Sequence, residues 1–365
     1  MPISLFAAAL AMADRPQLSR DPAYFPIAVW LQSPANAKRY QEIGINLYVG
    51  LWQGPTEAQI AALRAAKMPV ICDMNEWARS HLGESTIVGW MHGDEPDNAQ
   101  ALPDGKGWGP PVPPSKIVAD FAEIRRRDPK RPVFLNLGQG VAWDGWYGRG
   151  ERTNHPEDYA EYVKGGDVVS FDIYPVTADH PDVKGKLERV GFGTRRLRAW
   201  ANDGQTVWAC IEATHIGNPN VKPTPQQTRA LVWQAIINGA TGLVYFSHQF
   251  APSFIEAAIL ADEAMANGIK ATNAEVLRYA PILNSPSVPA TVAGEASVLA
   301  KRRGRRTTIF AISNSPNSTD VTISLPRRKG TETFRAGSKT FTMTNGVLRD
   351  TLGPYEMRCY EAAAK

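Results

Sequence analysis

Apolar runs rich in Val, Ile, Phe and Trp alternate with segments of helical periodicity along most of the chain. Eight runs predict strands, at residues 25–32, 45–52, 68–75, 87–95, 132–138, 168–174, 206–213 and 242–248. Most of the segments between and after them carry apolar residues at helical spacing. These segments lie at 35–42, 57–66, 116–126, 157–163, 194–202, 226–238 and 254–267, with a short turn near 77–82.

Eight strands, each followed by a helix, predict a (β/α)8 barrel over residues 25–284, close to the usual length of about 250 residues for this fold. An open doubly wound sheet is the alternative. No glycine-rich phosphate turn follows the first strand, which argues against a nucleotide-binding version of that sheet.

The pattern changes near residue 285, where short alternating runs separated by Gly, Asn, Pro and Ser turns replace the helical periodicity. The runs lie at 297–301, 307–313, 320–325, 339–344, 347–352 and 356–361. They predict a small all-β domain over residues 285–365, sandwich-like in build. The basic run KRRGRR at 301–306 is expected to be a solvated hairpin tip around Gly304.

Composition describes an ordinary soluble globular protein, with 43% hydrophobic and 21% charged residues and a net charge of +4. Residues 301–306 form the one dense basic cluster, so no nucleic-acid partner is expected. The three cysteines, Cys72, Cys210 and Cys359, lie far apart in apolar runs without metal-ligand spacing. We therefore expect neither a disulfide framework nor a cysteine metal site.

Residues 1–24 form a separate N-terminal segment that begins MPISLFAAALAMAD. Its apolar stretch is too short to span a membrane and ends in the small-x-small pattern of a signal-peptidase site, although no positively charged region precedes it. The interpretation is the remnant of an export signal, with a secreted or periplasmic mature protein starting near Asp14. An ordinary packing helix in a cytoplasmic protein is the alternative. No later segment resembles a membrane span.

Active sites of (β/α)8 barrels lie at the carboxyl ends of the strands, so polar residues at those ends are the candidates for catalysis. The run IVGWMHGDEPD at 87–97 carries Asp94 and Glu95 to the end of the fourth strand, where Pro96 stops it. A helix N-cap is the alternative interpretation of this acidic pair. Glu212 ends the seventh strand on the face that also carries Trp208 and Cys210. The other strand-end candidates are Gln32, Trp52, Asp73, Asn75, Asn136, Gln139, Asp172, Tyr174, Thr214, His215, His248 and Gln249.

In these features the sequence resembles the retaining glycoside hydrolases of clan A. Those enzymes are (β/α)8 barrels with an acid/base glutamate ending strand four, usually in an Asn-Glu-Pro setting, and a nucleophilic glutamate ending strand seven. Gly93-Asp94-Glu95-Pro96 and Ile211-Glu212-Ala213 hold those positions here. The chain departs from the pattern in having Asp94 for the asparagine, no tryptophan at the end of strand eight and no arginine at the end of strand two.

The resemblance implies hydrolysis of a β-linked oligo- or polysaccharide without cofactor or metal. Glu95 would protonate the departing oxygen and later activate water, and Glu212 would form the covalent intermediate. Asp94 is expected to bind a hydroxyl, to pair with a histidine such as His92 or His248, or only to cap the loop.

Aromatic rings in the predicted loops are candidate walls for a sugar, because the apolar faces of a pyranose pack on aromatic rings. Trp143 and Trp146 lie just past strand five in a glycine-rich loop and are the strongest pair. The predicted substrate-binding set is Trp52, Asp94, Asn136, Trp143, Trp146, Asp172, Tyr174 and His248, with Trp77 and Trp108 as further aromatic candidates. The Pro/Gly-rich insertion at 97–114 is expected to form one wall of the cleft.

Two other classes remain open. Asp73, Glu95 and Asn136, with Asp172, end strands roughly where enolase-like barrels hold magnesium, although the third is an amide and no lysine stands at a strand end. A catalytically inactive sugar-binding barrel is the non-enzymatic alternative. A chelator separates the first alternative from a two-carboxylate hydrolase, and a covalent mechanism-based glycoside inhibitor separates the second.

Overall fold

The computed structural model describes residues 15–103 and 105–363. The segment on which the export-signal hypothesis depends, residues 1–14, lies outside the described residues. A search of the described helices finds none with the length and apolar character to cross a membrane.

Nine parallel strands form the first sheet, in the order β7-β6-β5-β4-β3-β2-β1-β9-β8. They are β1 Ile27–Trp30, β2 Leu47–Val49, β3 Val70–Asp73, β4 Ile87–Met91, β5 Val133–Leu137, β6 Val168–Phe171, β7 Thr206–Val207, β8 Ala209–Glu212 and β9 Leu243–Phe246.

The ring closes because β7 and β8 are two parts of one strand, interrupted at Trp208. The Trp208 amide still donates to the Val169 carbonyl at 2.8 Å, while β7 pairs with β6 and β8 pairs with β9. Since β9 also pairs with β1, the nine segments make a closed eight-stranded barrel. The predicted barrel is confirmed, and the open sheet is not the fold.

The strands are apolar on both faces, as parallel strands covered by helices must be. One set of side chains fills the barrel interior, including Ala28, Val49, Phe134 and Trp208. The alternate set packs against the surrounding helices. The barrel is therefore a packed core with a mouth at its carboxyl end.

The helices of the barrel are α1 Ala37–Glu42, α2 Glu57–Ala66, α3 Glu76–Ser80, α4 Pro114–Arg127, α5 Tyr159–Tyr162, α6 Glu188–Trp200, α7 Pro225–Ile237, α8 Ala258–Ala261 and α9 Glu263–Leu283. Short 3-10 turns occupy Pro34–Asn36, Gln139–Val141, Tyr147–Arg152, Pro156–Asp158 and Val163–Gly165. The prediction for α2 matches both ends, because Thr56 and Gln59 form a capping box at its start.

Two helix predictions differ from the structure. α6 begins at Glu188, whereas the prediction placed its start at residue 194. The predicted start was too late because Gly191 and Gly193 interrupt the apolar pattern. Close packing requires Gly193, since a Cβ there would lie 2.4 Å from the Phe171 ring. The predicted helix at 254–267 divides into α8 and α9. Residues 250–257 form a loop instead, and α9 continues to Leu283 with a buried face.

The second sheet is antiparallel, in the order β10-β12-β13-β18-β15-β16-β17-β14-β11. Its strands are β10 Ser287–Val288, β11 Thr291–Ala293, β12 Ala296–Arg303, β13 Arg306–Ser313, β14 Thr319–Ser324, β15 Thr331–Ala336, β16 Lys339–Thr344, β17 Val347–Leu352 and β18 Met357–Ala362.

An all-β C-terminal part with pairing independent of the barrel is confirmed. Arg303 pairs with Arg306 across the predicted hairpin tip, where Gly304 has a φ of 59°. The pairing joins the nine described strands into one hydrogen-bonded sheet. The prediction missed β10 and β11, which are only two and three residues long. It also missed β15, because its polar sequence buries only Phe334.

This sheet packs on the outside of the barrel, against α7 and α9. The Phe310 ring stacks on Trp233 at 5.5 Å between centroids and meets Tyr279 edge-on at 5.2 Å. The Gln234 side-chain amide donates to the Ser313 carbonyl at 3.0 Å. These contacts lie on the outer helical layer.

Candidate active site

Three acidic residues meet at the barrel mouth: Asp94 and Glu95 beyond β4, and Asp172 beyond β6. The Asn136 side-chain amide on β5 donates to Asp94 Oδ1 at 3.0 Å and to Asp172 Oδ1 at 2.9 Å. Because one nitrogen contacts both oxygens, those oxygens lie within about 6 Å of each other. That bound includes the about 5–5.5 Å separation of carboxyls in retaining glycosidases.

Asp172 is buried and has several donors directed at it. The Tyr174 hydroxyl donates to Oδ2 and the Asn136 amide to Oδ1. Burial raises the pKa of Asp172, while hydrogen bonds from Cys210, Tyr174 and Asn136 oppose the rise. This side chain is therefore held in one orientation at the floor of the site.

The other two carboxyls hold their protons more tightly than ordinary acids. Asp94 is exposed to the cleft but lies deep among protein atoms, so desolvation and then the charge of Asp172 raise its pKa to about 7. Burial first, and then the charges of Asp172 and Asp94, raise the pKa of Glu95 well above its ordinary value. Because the three carboxyls interact, their apparent pKa values belong to the cluster as a whole rather than to single residues.

Glu95 adopts a left-handed backbone conformation, with a φ of 41°. A residue with a side chain occupies this region only when its surroundings enforce it, and such residues concentrate at functional sites. The Asn98 side-chain amide donates to Glu95 Oε2 at 2.8 Å, and the Trp146 indole donates to Asn98 Oδ1 at 2.9 Å. The Glu95 carboxyl is thus fixed by residues from two loops.

A buried network joins the loops that follow β4 and β5. Asp97 accepts from the Gly138 amide and from the Tyr159 hydroxyl, both at 2.8 Å. Arg149, 1% exposed, donates to the Asp97 carbonyl at 3.2 Å and to Asp158 at 2.7 Å. This network holds the wall of the mouth beside Glu95.

The mouth is a cleft with two lobes that share Asp94. The tryptophan lobe, about 640 Å³, is lined by Asp94, Glu95, Asn98, Ala99, Gln100, Ala101, Trp108, Trp146, Tyr147, Gly148 and Gly150. The phenylalanine lobe, about 820 Å³, is lined by Trp30, Leu31, Gln32, Ser33, Pro34, Trp52, Gln59, Asp94, Phe246, His248, Phe250, Phe254 and Glu256. The insertion at 97–114 supplies part of the tryptophan lobe.

Glu212, the predicted nucleophile, lines neither lobe. It is fully buried, and its carboxylate accepts from the Val176 amide at 2.6 Å and from the Thr177 amide and hydroxyl at 3.0 and 2.9 Å. Burial raises its pKa to about 7 against these hydrogen bonds. In this structure Glu212 fixes the loop after β6, and the predicted pairing of Glu95 with Glu212 across a cleft is not what the geometry presents.

The remaining predicted residues lie in four places. Asn136 donates to both Asp94 and Asp172, and Tyr174 donates to Asp172. Trp52, Trp146 and His248 line the lobes. Trp143 is only 6% exposed and lies behind Trp146, with its ring against His180. Asp73 is exposed at the end of β3, and burial of its surroundings raises its pKa to about 6.

His248 belongs to a second hydrogen-bonded set. The Gln32 amide donates to His248 Nε2 at 3.2 Å and to the Glu256 carbonyl at 2.9 Å, and the Tyr40 hydroxyl donates to Gln32 Oε1 at 2.6 Å. Accepting at Nε2 leaves the proton of a neutral imidazole on Nδ1. Desolvation lowers the pKa of His248, so it is neutral at neutral pH.

Sequence reasoning missed Asn98, Phe250, Phe254 and Glu256. The apolar pattern predicts a helix from residue 254, although Ala251-Pro252-Ser253 between two phenylalanines indicates a loop. Among the described residues, no group of three or more His, Cys, Asp and Glu side chains has a geometry suited to a metal ion.

No protein-family model matches the sequence, and a search of curated proteins finds no match. Solved structures of similar fold exist. An α-amylase from Geobacillus thermoleovorans, complexed with acarbose, matches with a TM-score of 0.58 at 12% identity, covering 95% of this chain and 100% of that chain. A noncanonic maltogenic α-amylase, AmyB, from Thermotoga neapolitana matches with a TM-score of 0.57 at 10% identity, covering 94% and 99%.

An α-galactosidase I from Mortierella vinacea matches with a TM-score of 0.52 at 8% identity, covering 95% of this chain and 98% of that chain. At such identities the likeness establishes the fold: a barrel followed by a C-terminal β-sheet, in the same order along the chain.

Proposed function

We propose that this protein is a glycoside hydrolase whose reaction centre is the carboxyl cluster of Asp94, Glu95 and Asp172. The observation that carries the proposal is the position of this cluster, on the floor of an aromatic-walled cleft where the two lobes meet. Glycosidic cleavage needs one protonated and one ionised carboxyl at the same bond. The names of the similar structures agree with this class.

Glu95 is the general acid in this proposal. Burial and the neighbouring charges raise its pKa well above the ordinary value, which favours the protonated form that a general acid needs. Asp94 is the anion that meets the developing positive charge, because it lines both lobes and the hydrogen bond from Asn136 favours its ionised form. Asp172 is a positioning residue: through Asn136 it orients Asp94, and its charge raises the pKa of Glu95.

We propose that the reaction retains configuration, as the resemblance of the sequence to retaining glycosidases implies. The carboxyl oxygens that Asn136 holds within about 6 Å of each other are those of Asp94 and Asp172. The resemblance of the sequence predicted a β-linked substrate, whereas the similar structures include α-amylases. A panel of α- and β-linked aryl glycosides and glycans covers both configurations.

Azide rescue of two variants tests these roles. Glu95→Ala should lose about 10²–10⁴-fold on natural glycans but less on substrates with good leaving groups, and azide should give a glycosyl azide of retained configuration. Asp94→Ala should lose turnover on every substrate, and azide should restore cleavage with inverted configuration. Asp120→Asn, on the outer helix α4, is the control and should match the wild type.

Normal activity in both variants, or azide products of one configuration, would contradict these roles. Loss of wild-type activity on treatment with a chelator would favour the metal-dependent alternative instead. Glycan binding without turnover or covalent inhibition would favour the sugar-binding barrel.

A further inference from the structure

The exposed large hydrophobic side chains of the described residues concentrate at the barrel mouth. Seven of the eight follow barrel strands at their carboxyl ends, and Phe192 on α6 is the exception. The seven are Trp52, Leu102, Trp108, Tyr147, Phe250, Phe254 and Ile255. Solvent-exposed apolar surface gathered in one place marks a binding site rather than chance exposure.

These rings stand on both sides of the proposed reaction centre. Trp108 and Tyr147 are 74% and 70% exposed and line the tryptophan lobe. Phe250 and Phe254 are 55% and 62% exposed, with centroids 5.8 Å apart, and line the phenylalanine lobe. Asp94 lines both lobes, so the two lobes adjoin at this carboxyl.

The charge of the cleft restricts what it can hold. Asp94, the proposed anion, lines both lobes and Glu256 lines the phenylalanine lobe, while no Lys or Arg is among the described residues that line either lobe. The protein as a whole has a net charge of +4, so the absence of cations is local. A chain of uronic acids or sulfated sugars would bring like charges together without a partner.

We infer that the cleft binds a carbohydrate chain without anionic groups across both lobes and that the enzyme cleaves it internally at Asp94 and Glu95. The inference rests on the proposed function for the cleavage step and on the cleft alone for the binding step. Sugar rings on one side of the broken bond lie against Trp108 and Tyr147, and those on the other side against Phe250 and Phe254. Water adds across the broken glycosidic bond: the departing oxygen gains a proton and the anomeric carbon gains a hydroxyl. Two shorter chains are the products.

Chain-length dependence tests the binding step without any turnover. Glu95→Gln is titrated with neutral oligosaccharides from disaccharide to octasaccharide, in the β-glucan, xylan, mannan, chitin and α-glucan series. Affinity in one series should increase with length until both lobes are filled. Adding either Trp108→Ala or Phe254→Ala to the Glu95→Gln variant should weaken binding of the longest chain by about two- to twelvefold. Phe192→Ala, the exposed aromatic outside the cleft, should leave it unchanged.

Polygalacturonate serves as the anionic probe and should not compete. The binding step is overturned if affinity reaches its limit at the disaccharide, if only one lobe contributes, or if polygalacturonate binds as well as the neutral chains.

The pattern of cleavage tests the internal position of the bond. On a soluble polysaccharide of the series that binds, viscosity should fall well before reducing ends accumulate. With an end-labelled oligosaccharide, Trp108→Ala and Phe254→Ala should move the cleaved bond in opposite directions. Release of only mono- or disaccharides from chain ends would overturn internal cleavage while leaving the proposed hydrolase intact. Length-dependent binding with no cleavage of any glycan would instead refute the hydrolase and leave the two-lobed binding cleft.

Discussion

Glu95 and Glu212 show how one residue type at equivalent strand ends acquires two different roles. Both have a raised pKa because both are desolvated. Glu95 lines the cleft and is held by one side-chain amide, whereas Glu212 is sealed by two backbone amides and a hydroxyl. A perturbed pKa therefore identifies a candidate, and access to the cleft distinguishes a reacting group from a structural one.

A variant at Glu212 separates the two roles. Glu212→Ala leaves the Val176 and Thr177 amides buried without acceptors, and we expect a loss of about 2–4 kcal/mol of unfolding free energy by denaturant titration. Azide should not restore activity, because the loop after β6 is displaced. If the variant is as stable as the wild type and azide yields inverted product, Glu212 is the nucleophile that the sequence predicted.

At the scale of elements, the cleft wall depends on a connection between two loops. Asp97 makes this connection, because its buried carboxyl accepts hydrogen bonds from both Gly138 and Tyr159 and lies beside Arg149. These contacts of Asp97 fix the positions of the loops that carry Asn98, Trp146 and Tyr147. Glu95 is therefore positioned by structure that lies outside the barrel strands.

We expect Asp97→Ala to lower the unfolding free energy by about 3–5 kcal/mol, because the substitution leaves buried Arg149 without one of its charge partners. At a temperature where the variant is folded, KM should rise more than kcat falls, since the tryptophan lobe loosens. Asp120→Ala removes an exposed ion pair with Lys116 on α4 and should cost under about 1 kcal/mol. Equal effects of the two variants in thermal unfolding would contradict an anchoring role for Asp97.

For the whole molecule, acids with a raised pKa at the carboxyl ends of the barrel strands make stability depend on pH. The pKa of Asp94 rises from 3.8 to about 7 and that of Glu212 from 4.5 to about 7, and those of Glu95 and Asp172 also rise. Between the unfolded and folded pKa values the native state binds more protons than the unfolded chain. Stability is therefore lost as the pH increases through this window.

Thermal unfolding should accordingly give a lower Tm at about pH 8 than at about pH 5. Asp94→Asn removes one of the titrating carboxyls, and the new side chain can still accept a hydrogen bond from Asn136. The decrease of Tm with pH should therefore be shallower, and the Tm at about pH 8 higher, than in the wild type. Below about pH 4 the opposite trend begins, because carboxyls with a lowered pKa, such as Glu84 beside Arg64, are protonated. A wild-type Tm that increases from pH 5 to pH 8 would contradict this account.

The sequence by itself determined the barrel, the all-β tail and the ring of strand-end candidates that contains Asp94, Glu95, Asn136 and Asp172. It could do so because strand and helix periodicity is local, and because the barrel places every strand end at one mouth. The tertiary structure decided which of those candidates meet. Whether a strand-end acid faces the cleft or a neighbouring loop depends on the paths of the loops. The Phe250–Phe254 wall and the contact of Asn98 with Glu95 join residues that are close in sequence but lie in irregular loops, whose backbone path is not specified by periodicity.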